Sequence, residues 1–496
     1  MLAPDPAAFI PVLLEAVAHQ EAGRLQEAEA GYAAVLAMEP EQPQALLFAG
    51  QLALKAGRAA ESVPLLERAI AVRPSHAESR FALGNALWTG GRKADAMAAW
   101  QQTLLLESRH MGALLNLARA QQELGDSAGA VQSCQQAVSA APGHALAHAA
   151  LAAALRANGQ AQAALQAADA AIALAPALAQ AHFQRGASLK ALGRFAEAAA
   201  SLVEAVRLAP DDAAALLDLG NVMCDLGELE AAERHCRAAI AANPALAEAH
   251  ASLGFLLTQT GQLADAVAAC TEAVRLQPNL AEAHCNMGIA LLSAGDLPGG
   301  FARYEWRKRH PHFTHEFPWL PYPEWRGGPI AGKRLLVLAE QGLGDAIMFA
   351  RYAKPLAEAG AEVWLACDRR LVPLLDGVAG VARAIPKQEV LPPHDLWVDQ
   401  MSLPFLLGTT LQTVPSPGPY LRADPMRVAA WRDRFSPRLT GTVRIGIVWA
   451  GNPLHSNDAA RSCPVEALLP LAALGGIEAF SLQVGPRATE AAVLGL

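Results

Sequence analysis

A 34-residue period runs through the first two thirds of this 496-residue chain and constrains its fold more than any other feature. Proline, a second glycine and a small residue recur in one register, as Pro74, Gly84 and Ala96 illustrate. A helix-turn-helix unit of this size cannot bury its apolar face alone, so the period predicts units that stack as a helical solenoid. The most regular glycines, each 34 residues from the next, are Gly23, Gly57, Gly91, Gly125, Gly159, Gly193, Gly227, Gly261 and Gly295.

The composition agrees with closely packed helices and excludes several classes of protein. Hydrophobic residues make up 53% of the chain but aromatic residues only 5%, because alanine supplies the difference. A net charge of −8 argues against a nucleic-acid partner, which a basic face would attract. Seven cysteines do not make a disulfide framework, and no apolar run is long enough for a membrane span. We therefore expect a cytoplasmic protein without a membrane span.

Two sets of chemically attractive residues follow the repeat register. Three cysteines occupy one core-facing position of the second helix, where we predict buried structural thiols. Four histidines share one position of the first helix, and equivalent positions in neighbouring repeats lie too far apart for ordinary zinc ligation. We therefore predict no metal site. The two sets are Cys134, Cys236 and Cys270, and His148, His182, His250 and His284.

The period and its small-residue, glycine, alanine and proline positions resemble those of tetratricopeptide repeats. The resemblance covers residues 9–314 and implies a right-handed superhelix that binds protein or peptide ligands on its concave face. A ninth repeat begins at residue 281, and its second helix diverges at 297–301, as a capping unit or a junction would. The eight full repeats begin at residues 9, 43, 77, 111, 145, 179, 213 and 247.

One row of first-helix residues, two before the second glycine, is a candidate peptide groove. The similar superhelix of eukaryotic O-GlcNAc transferases carries an asparagine ladder in this row that grips peptide backbone. The row is apolar near the N-terminus and polar further along, so a groove there and a solvated face without a ligand are both open. The polar members are Asn116, Gln184, Asp218, Ser252 and Asn286.

After residue 314 the chain changes character. Residues 315–330 are rich in tryptophan and proline, which predicts an ordered connector, and a basic cluster around Arg307 and Lys308 precedes it. Alternating strands and helices then predict a parallel sheet with crossover helices. The predicted strands are Arg334–Ala339, Glu362–Cys367, Val381–Ile385, Leu396–Val398, Val443–Trp449 and Ile477–Val484, and the predicted helices span 346–359, 370–376 and 464–474.

The glycine loop after the first predicted strand does not carry a nucleotide fingerprint. After Gly342 and Gly344, the third glycine position of the dinucleotide motif is Ile347, and no phosphate-loop Gly-Lys-Ser/Thr follows. The sequence therefore supports neither an NAD site nor an ATP site, and we predict no cofactor.

Two sequence blocks, EQGLGDAIMFARY and GIVWAGNPLHSND, resemble the heptosyltransferase-like domain of glycosyltransferase family nine. Bacterial proteins join this two-domain GT-B architecture to tetratricopeptide repeats, and the resemblance spans residues 301–484. It implies that Asp345 is the general base that deprotonates an acceptor hydroxyl. A helix N-cap is the structural alternative for Asp345. The residues implied for donor binding are Gly451, Asn452, Arg461 and Ser462, and an exposed loop arginine is the alternative for Arg461.

The resemblance divides the α/β region into two Rossmann-like subdomains. Residues 331–440 match the first, and residues 441–496 match only the start of the second, which would bind the nucleotide-sugar. The 56 residues after 440 provide one strand-helix-strand unit, so we expect an incomplete second subdomain and a truncated chain. The implied function is transfer of a sugar from a nucleotide-sugar to an acceptor held by the repeats. The alternative is a non-enzymatic interaction scaffold with an inactive glycosyltransferase region.

Overall fold

A computed structural model describes residues 6–310, 313, 320–416, 418–434, 441–451 and 458–495. The chain forms two compact units, Met1–Pro244 and Ala245–Leu496. The four domain boundaries predicted from the sequence, at 9–314, 315–330, 331–440 and 441–496, stay predictions. No helix in the described ranges is long and apolar enough to cross a membrane.

The N-terminal compact unit consists, in its described residues, of paired antiparallel helices. The first and second helices of each repeat pack on one another, and second helices also contact the next first helix. The helices are α1 Pro6–Glu21, α2 Leu25–Met38, α3 Pro43–Lys55, α4 Ala59–Val72, α5 Ala77–Thr89, α6 Lys93–Leu106, α7 Met111–Glu123, α8 Ser127–Ala140, α9 Ala145–Ala157, α10 Ala161–Leu174, α11 Ala179–Ala191, α12 Phe195–Leu208, α13 Ala213–Asp225 and α14 Leu229–Ala242.

Local chemistry sets both ends of the first helices. The carboxylate of Asp212 accepts hydrogen bonds from the first-turn N–H groups of α13, which is the usual role of an N-cap. The equivalent His110 caps α7 through Nδ1, which accepts from the Ala113 N–H at 3.2 Å. The glycine after each first helix has a φ between 72° and 89°, a conformation that only glycine adopts without strain. These glycines therefore end the first helices and permit the tight turn to the second helices.

In several repeats, the eighth and twenty-fourth residues compensate for one another in size, although pairs such as Ala16 with Tyr32 do not follow this rule. A Cβ added at Gly186 would lie 2.6 Å from Leu202 Cγ, so glycine makes room for leucine. Where the eighth residue is Ala118, the twenty-fourth is the smaller Cys134, which is 1% exposed. Burial raises the pKa of Cys134, Cys236 and Cys270 to about 12, as expected of unreactive core thiols.

We expect Gly186→Ala to lower the free energy of unfolding by about 1–3 kcal/mol, because the new methyl group overpacks the interface with Leu202. In a Leu202→Cys background the same change should cost much less, since that pair reproduces Ala118 and Cys134. Gly143→Ala is the matched control, because its Cβ would have no neighbour within 4 Å. Urea unfolding of the four variants measures the coupling. Equal costs in both backgrounds would show that the eighth and twenty-fourth residues do not compete for space.

The histidine set has a structural role. Nε2–H of His148 donates to the Pro142 carbonyl at 2.9 Å, and Nε2–H of His182 donates to Pro176 at the same distance. His284 makes the same bond to Pro278 at 3.0 Å. In each case the ring fastens the first helix to the proline turn that precedes it.

The C-terminal compact unit begins with four more repeat helices: α15 Ala247–Gln259, α16 Leu263–Leu276, α17 Ala281–Ser293 and α18 Leu297–Tyr304. Asp296 caps α18 through the Gly299 N–H, and Pro298 occupies its first turn. The helix has only eight residues and continues as a 3₁₀ turn, Glu305–Arg309. Its core residues Phe301 and Tyr304 pack into the hydrophobic core of the α/β region. The divergent ninth repeat is therefore a junction between the repeats and the sheet.

The α/β region contains a four-stranded parallel sheet in the order β3-β2-β1-β4. Its central strand β1 is buried, and residues of β1 pair with β2 on one side and with β4 on the other. The strands predicted for this sheet are confirmed to within one residue, whereas the strand predicted at Ile477–Val484 ends three residues early, at Ser481. The strands are β1 Arg334–Leu338, β2 Glu362–Cys367, β3 Val381–Pro386 and β4 Leu396–Asp399.

The helix predicted at 346–359 is interrupted. The structure has α19 Leu343–Phe349, a 3₁₀ turn Ala350–Tyr352 and α20 Ala353–Glu358. Pro355 explains the break, since proline has no N–H to donate to the carbonyl four residues earlier and its ring crowds that carbonyl. Shorter helices complete this part of the fold: α21 Val372–Leu375, α22 Leu403–Leu406 and α23 Pro425–Arg432.

The last part of the chain adds a smaller parallel pair of strands, β5 Val443–Ile447 and β6 Ile477–Ser481. The helix predicted at 464–474 is a 3₁₀ turn, Val465–Leu468, followed by α25 Leu469–Ala472, and Pro470 breaks its hydrogen-bond ladder as Pro355 does in the earlier helix. The remaining elements are α24 Asp458–Arg461 and a 3₁₀ helix, Pro486–Leu494.

Candidate functional site

The predicted peptide row in the N-terminal compact unit combines half-buried and buried polar groups. Asn116 Nδ2 donates to Asn85 Oδ1 at 2.8 Å, and the same oxygen accepts the Trp100 indole N–H at 3.1 Å. Asp218 forms a 2.9 Å ion pair with Lys190, and both side chains stay about a quarter to a third exposed. Asn116 and Asp218 are thus the accessible members of the row in this unit.

Gln184 differs from its neighbours in the row. It is 5% exposed, and its Oε1 has no hydrogen-bond partner in the described part of the chain. Burying a carbonyl oxygen without a hydrogen-bond donor costs free energy. The Gln184 Oε1 atom is therefore an unsatisfied acceptor.

The two row members in the C-terminal compact unit are buried as well. Ser252 is 8% and Asn286 9% exposed, and Asn286 Nδ2 donates to the Ala251 carbonyl at 3.2 Å. The sequence placed all five side chains on one helix face but could not show how much of each is covered. It also missed Asn85 and Lys190, which occupy the ninth and twelfth positions of their repeats, whereas the row occupies the sixth.

The second candidate site lies at the point in the sheet where the order of the strands reverses. The order β3-β2-β1-β4 places this switch point between β1 and β4, and open α/β sheets bind ligands beyond the carboxyl ends of such strands. Here the chain places Glu340 two residues after β1 and Asp399 at the last position of β4. Both carboxylates are almost fully buried, at 4% and 2% exposure.

A basic side chain from the junction occupies this acidic crevice. The Arg307 guanidinium is completely buried and donates to both oxygens of Glu340, from Nε at 2.9 Å and from Nη2 at 2.7 Å. Nη2 also donates to Ser402 Oγ at 3.0 Å, and Nη1 donates to Glu305 at 2.7 Å. Glu340 additionally accepts the Met401 N–H at 2.9 Å. The bidentate pair therefore ties the end of the repeats to the ends of β1 and β4.

Lys308 extends the same cluster. Its Nζ lies 3.0 Å from Asp399 Oδ2 and 2.7 Å from Glu324 Oε1. Burial and the neighbouring Glu340 carboxylate raise the pKa of Asp399 to about 6, against the opposing effect of Lys308 and Arg307. The crevice therefore holds more carboxylates than its two cations neutralise.

The raised pKa of Asp399 predicts a pH dependence of stability. Because the folded protein holds this proton more tightly than the unfolded chain, the stabilising contribution is present at low pH and is lost as pH rises through about 6. The stability of the wild type relative to Asp399→Asn should therefore fall between about pH 4 and 6 in urea unfolding. Asp368→Asn is the control, since hydrogen bonds from Arg370 lower the pKa of Asp368 to about 2. Parallel pH profiles for the wild type and Asp399→Asn would contradict the prediction.

The loop with the predicted catalytic residue follows Glu340 directly. Gln341 has a φ of 59°, which makes it the one positive-φ residue other than glycine in the described ranges, and its amide donates to the Tyr304 hydroxyl at 2.8 Å. Gly342 is the N-cap of α19, so Asp345 is the third helical residue and not the cap. Its half-buried carboxylate accepts the Gly342 N–H at 3.0 Å, while Gly342 and Gly344 are exposed. The alternative role predicted for Asp345, the helix N-cap, is therefore wrong in position. Gly342 is the N-cap, and Asp345 accepts its N–H from the third position of the helix.

Of the predicted donor-side residues, Asn452 lies outside the described residues. Gly451 and Ser462 come together, since Ser462 Oγ accepts the Gly451 N–H at 3.0 Å and donates to Asp458 at 2.9 Å. Arg461 is exposed. A cleft beside them is lined by three carboxylates and one arginine, a charge balance that disfavours a diphosphate. These charged residues are Asp458, Glu466, Glu490 and Arg487.

Comparisons with known proteins agree with the helical fold of the N-terminal part. Tetratricopeptide repeat models match residues 13–64, 49–110, 112–144, 189–256 and 247–280. The N-terminal 280 or so residues therefore carry tetratricopeptide repeats, which indicate a protein-interaction scaffold.

The chain is similar to Protein FlbA of Caulobacter vibrioides, with 29% identity over 184 residues. The match covers 34% of this chain and spans about a third of the relative, 31% of its length. Among solved structures, the APC/C hetero-tetramer Cut9–Hcn1 matches 56% of this chain and 55% of its own, with 15% identity and a TM-score of 0.45. MamA matches 34% of this chain and 91% of its own, with 20% identity and a TM-score of 0.31.

Proposed function

We propose that the repeats bind an extended polypeptide across their first helices. The observation that carries the proposal is the series of tetratricopeptide repeats matched between residues 13 and 280. An extended backbone offers one N–H donor and one C=O acceptor per residue, so polar side chains at a repeated position can bind it with little regard to sequence.

The polar row supports this reading in the N-terminal compact unit. Asn116 keeps part of its surface exposed, so the backbone of a bound peptide can reach its side-chain amide. Lys190 and Asp218 stay partly exposed as an ion pair, and each can exchange its partner for a peptide group at modest cost. The concave face predicted from the sequence is part of this proposal. Its other predicted members are Gln184 in this unit, and Ser252 and Asn286 in the C-terminal compact unit.

The experiment compares two double variants with the wild type. Peptides selected from an unbiased library on the wild-type chain should bind Asn116→Ala/Asp218→Ala about tenfold more weakly in fluorescence anisotropy, equal to the loss of one or two hydrogen bonds. Gln135→Ala/Gln136→Ala, which alters exposed residues of the second helix α8, is the matched control. Equal affinities for all three chains would refute a groove at this row.

A second candidate function is glycosyl transfer from a nucleotide-sugar, and the position of Asp345 favours it. This partly exposed carboxylate lies just beyond the carboxyl end of β1 in a parallel sheet, where a reacting group has access to a bound ligand. Asp345 would accept the proton of an acceptor hydroxyl, with Gly342 and Gly344 shaping its loop. Gly451, Asn452, Arg461 and Ser462 would face the donor, and the two sheets would form a GT-B arrangement. All seven cysteines are free thiols, in keeping with a cytoplasmic location.

A further inference from the structure

Each nitrogen of the Arg307 guanidinium has a hydrogen-bond acceptor in this site. Nε and Nη2 face the two oxygens of Glu340, Nη2 also reaches Ser402, and Nη1 reaches Glu305 and, at 3.4 Å, the Tyr304 carbonyl. A planar fork facing a carboxylate edge is the geometry that guanidinium satisfies and ammonium does not. Ser402 and Glu340 belong to the sheet region, so the site is built largely by elements other than the one that carries the arginine.

Docking of the repeats on the sheet does not by itself require this chemistry. A buried ion pair is seldom more stabilising than well-packed apolar residues of the same volume, because both charges lose their hydration. The junction already has an apolar contact, in which Phe301 and Tyr304 pack with Leu335 and Val337. The polar crevice therefore makes the junction selective for a guanidinium group over an apolar or ammonium group.

We propose that the crevice at the carboxyl ends of β1 and β4 is a guanidinium-binding site that the chain fills in cis with Arg307. Lys308 forms an ion pair with Asp399 at the end of β4. The 3₁₀ turn Glu305–Arg309 therefore acts as an intramolecular ligand of the crevice between β1 and β4. Arg307 and Lys308 already face carboxylates in this crevice, so neither cation is left to bind a phosphate. A nucleotide that this chain binds must use another surface. The proposal does not depend on either function proposed above.

Chemical rescue tests the site. In the full chain, Arg307→Ala should lower the melting temperature, and methylguanidinium should raise it again in a saturable way, with half-saturation on the order of 1–10 mM. Urea, which is neutral and of the same shape, and potassium chloride at equal ionic strength should not restore it. The wild type, whose site is filled, and Arg307→Ala/Glu340→Ala, which lacks the carboxylate, should not respond. An unchanged melting temperature in Arg307→Ala, or no rescue by methylguanidinium, overturns the proposal.

If Arg307→Ala does not fold alone, the same ligand is added during refolding. Recovery of the native circular-dichroism spectrum with methylguanidinium supports the site, and failure with every additive overturns it. Arg307→Lys gives an independent measurement in a conservative variant, because lysine keeps the charge but lacks the fork. Hydrogen exchange should accelerate at least severalfold at Met401, whose N–H donates to Glu340, and stay unchanged in the N-terminal compact unit. Unchanged exchange at Met401 would also overturn the proposal.

Discussion

Glu340→Ala is expected to lower the free energy of unfolding of the C-terminal compact unit by about 3–5 kcal/mol, because it leaves the Arg307 guanidinium buried without its bidentate partner. The substitution also removes the acceptor of the Met401 N–H. Both losses fall in a region without access to water, where an unpaired charge or donor keeps its full desolvation cost. Urea unfolding followed by tryptophan fluorescence and by circular dichroism measures the change.

The control is a solvent-exposed ion pair in the same sheet. Arg334 lies 3.3 Å from Glu362, and the two side chains are 36% and 49% exposed. Glu362→Ala should therefore cost no more than about 1 kcal/mol. If the two glutamate variants lose similar stability, burial does not control the strength of the Arg307 pair, and the crevice is not the rigid junction described above.

Asp345→Asn is expected to lower turnover by roughly 10²–10⁴-fold if the second candidate function holds, because asparagine cannot take a proton from an acceptor hydroxyl. The structure makes this substitution informative. The asparagine side chain keeps an oxygen that can accept the Gly342 N–H, so the cap and the fold should survive. Release of nucleoside diphosphate from a panel of nucleotide-sugars by the full chain is the measurement, together with the melting temperature of each variant.

Asp345→Ala separates the two roles of this side chain. It should lose the cap and the base together, so that stability falls by about 1 kcal/mol along with turnover. Equal turnover in the wild type and Asp345→Asn would reduce Asp345 to a helix-capping residue. No release of nucleoside diphosphate from any donor of the panel, even after a complete second subdomain is joined to the chain, would count against glycosyl transfer and favour the polypeptide scaffold.

The repeat helices were predictable because the information is local and repeated. The glycine that needs a positive φ and the proline of each turn recur every 34 residues, so each end is marked several times over. The strands of the sheet were predictable from short apolar runs between turns. The breaks at Pro355 and Pro470 were missed because an apolar periodic segment continues through each proline.

The crevice was less accessible to sequence reasoning. The sequence identifies Arg307 only as part of a basic cluster that precedes the connector. Its partners Glu340 and Ser402 lie 33 and 95 residues away in the chain, and no local pattern links positions so far apart. The position of Asp345 likewise does not distinguish a base from a structural residue, because the carboxylate that could take a proton also accepts the Gly342 N–H.

The size compensation between the eighth and twenty-fourth residues also has a consequence for how such a chain is built and altered. Each compensating pair, such as Gly84 with Trp100 or Ala118 with Cys134, lies inside one repeat. A whole repeat can therefore be duplicated, deleted or moved with its internal fit intact. Exchanging a single helix between repeats would instead set Ala118 against Trp100 and overfill the space. Recombination at the proline turns therefore keeps these pairs together, whereas recombination at the glycine turns separates them.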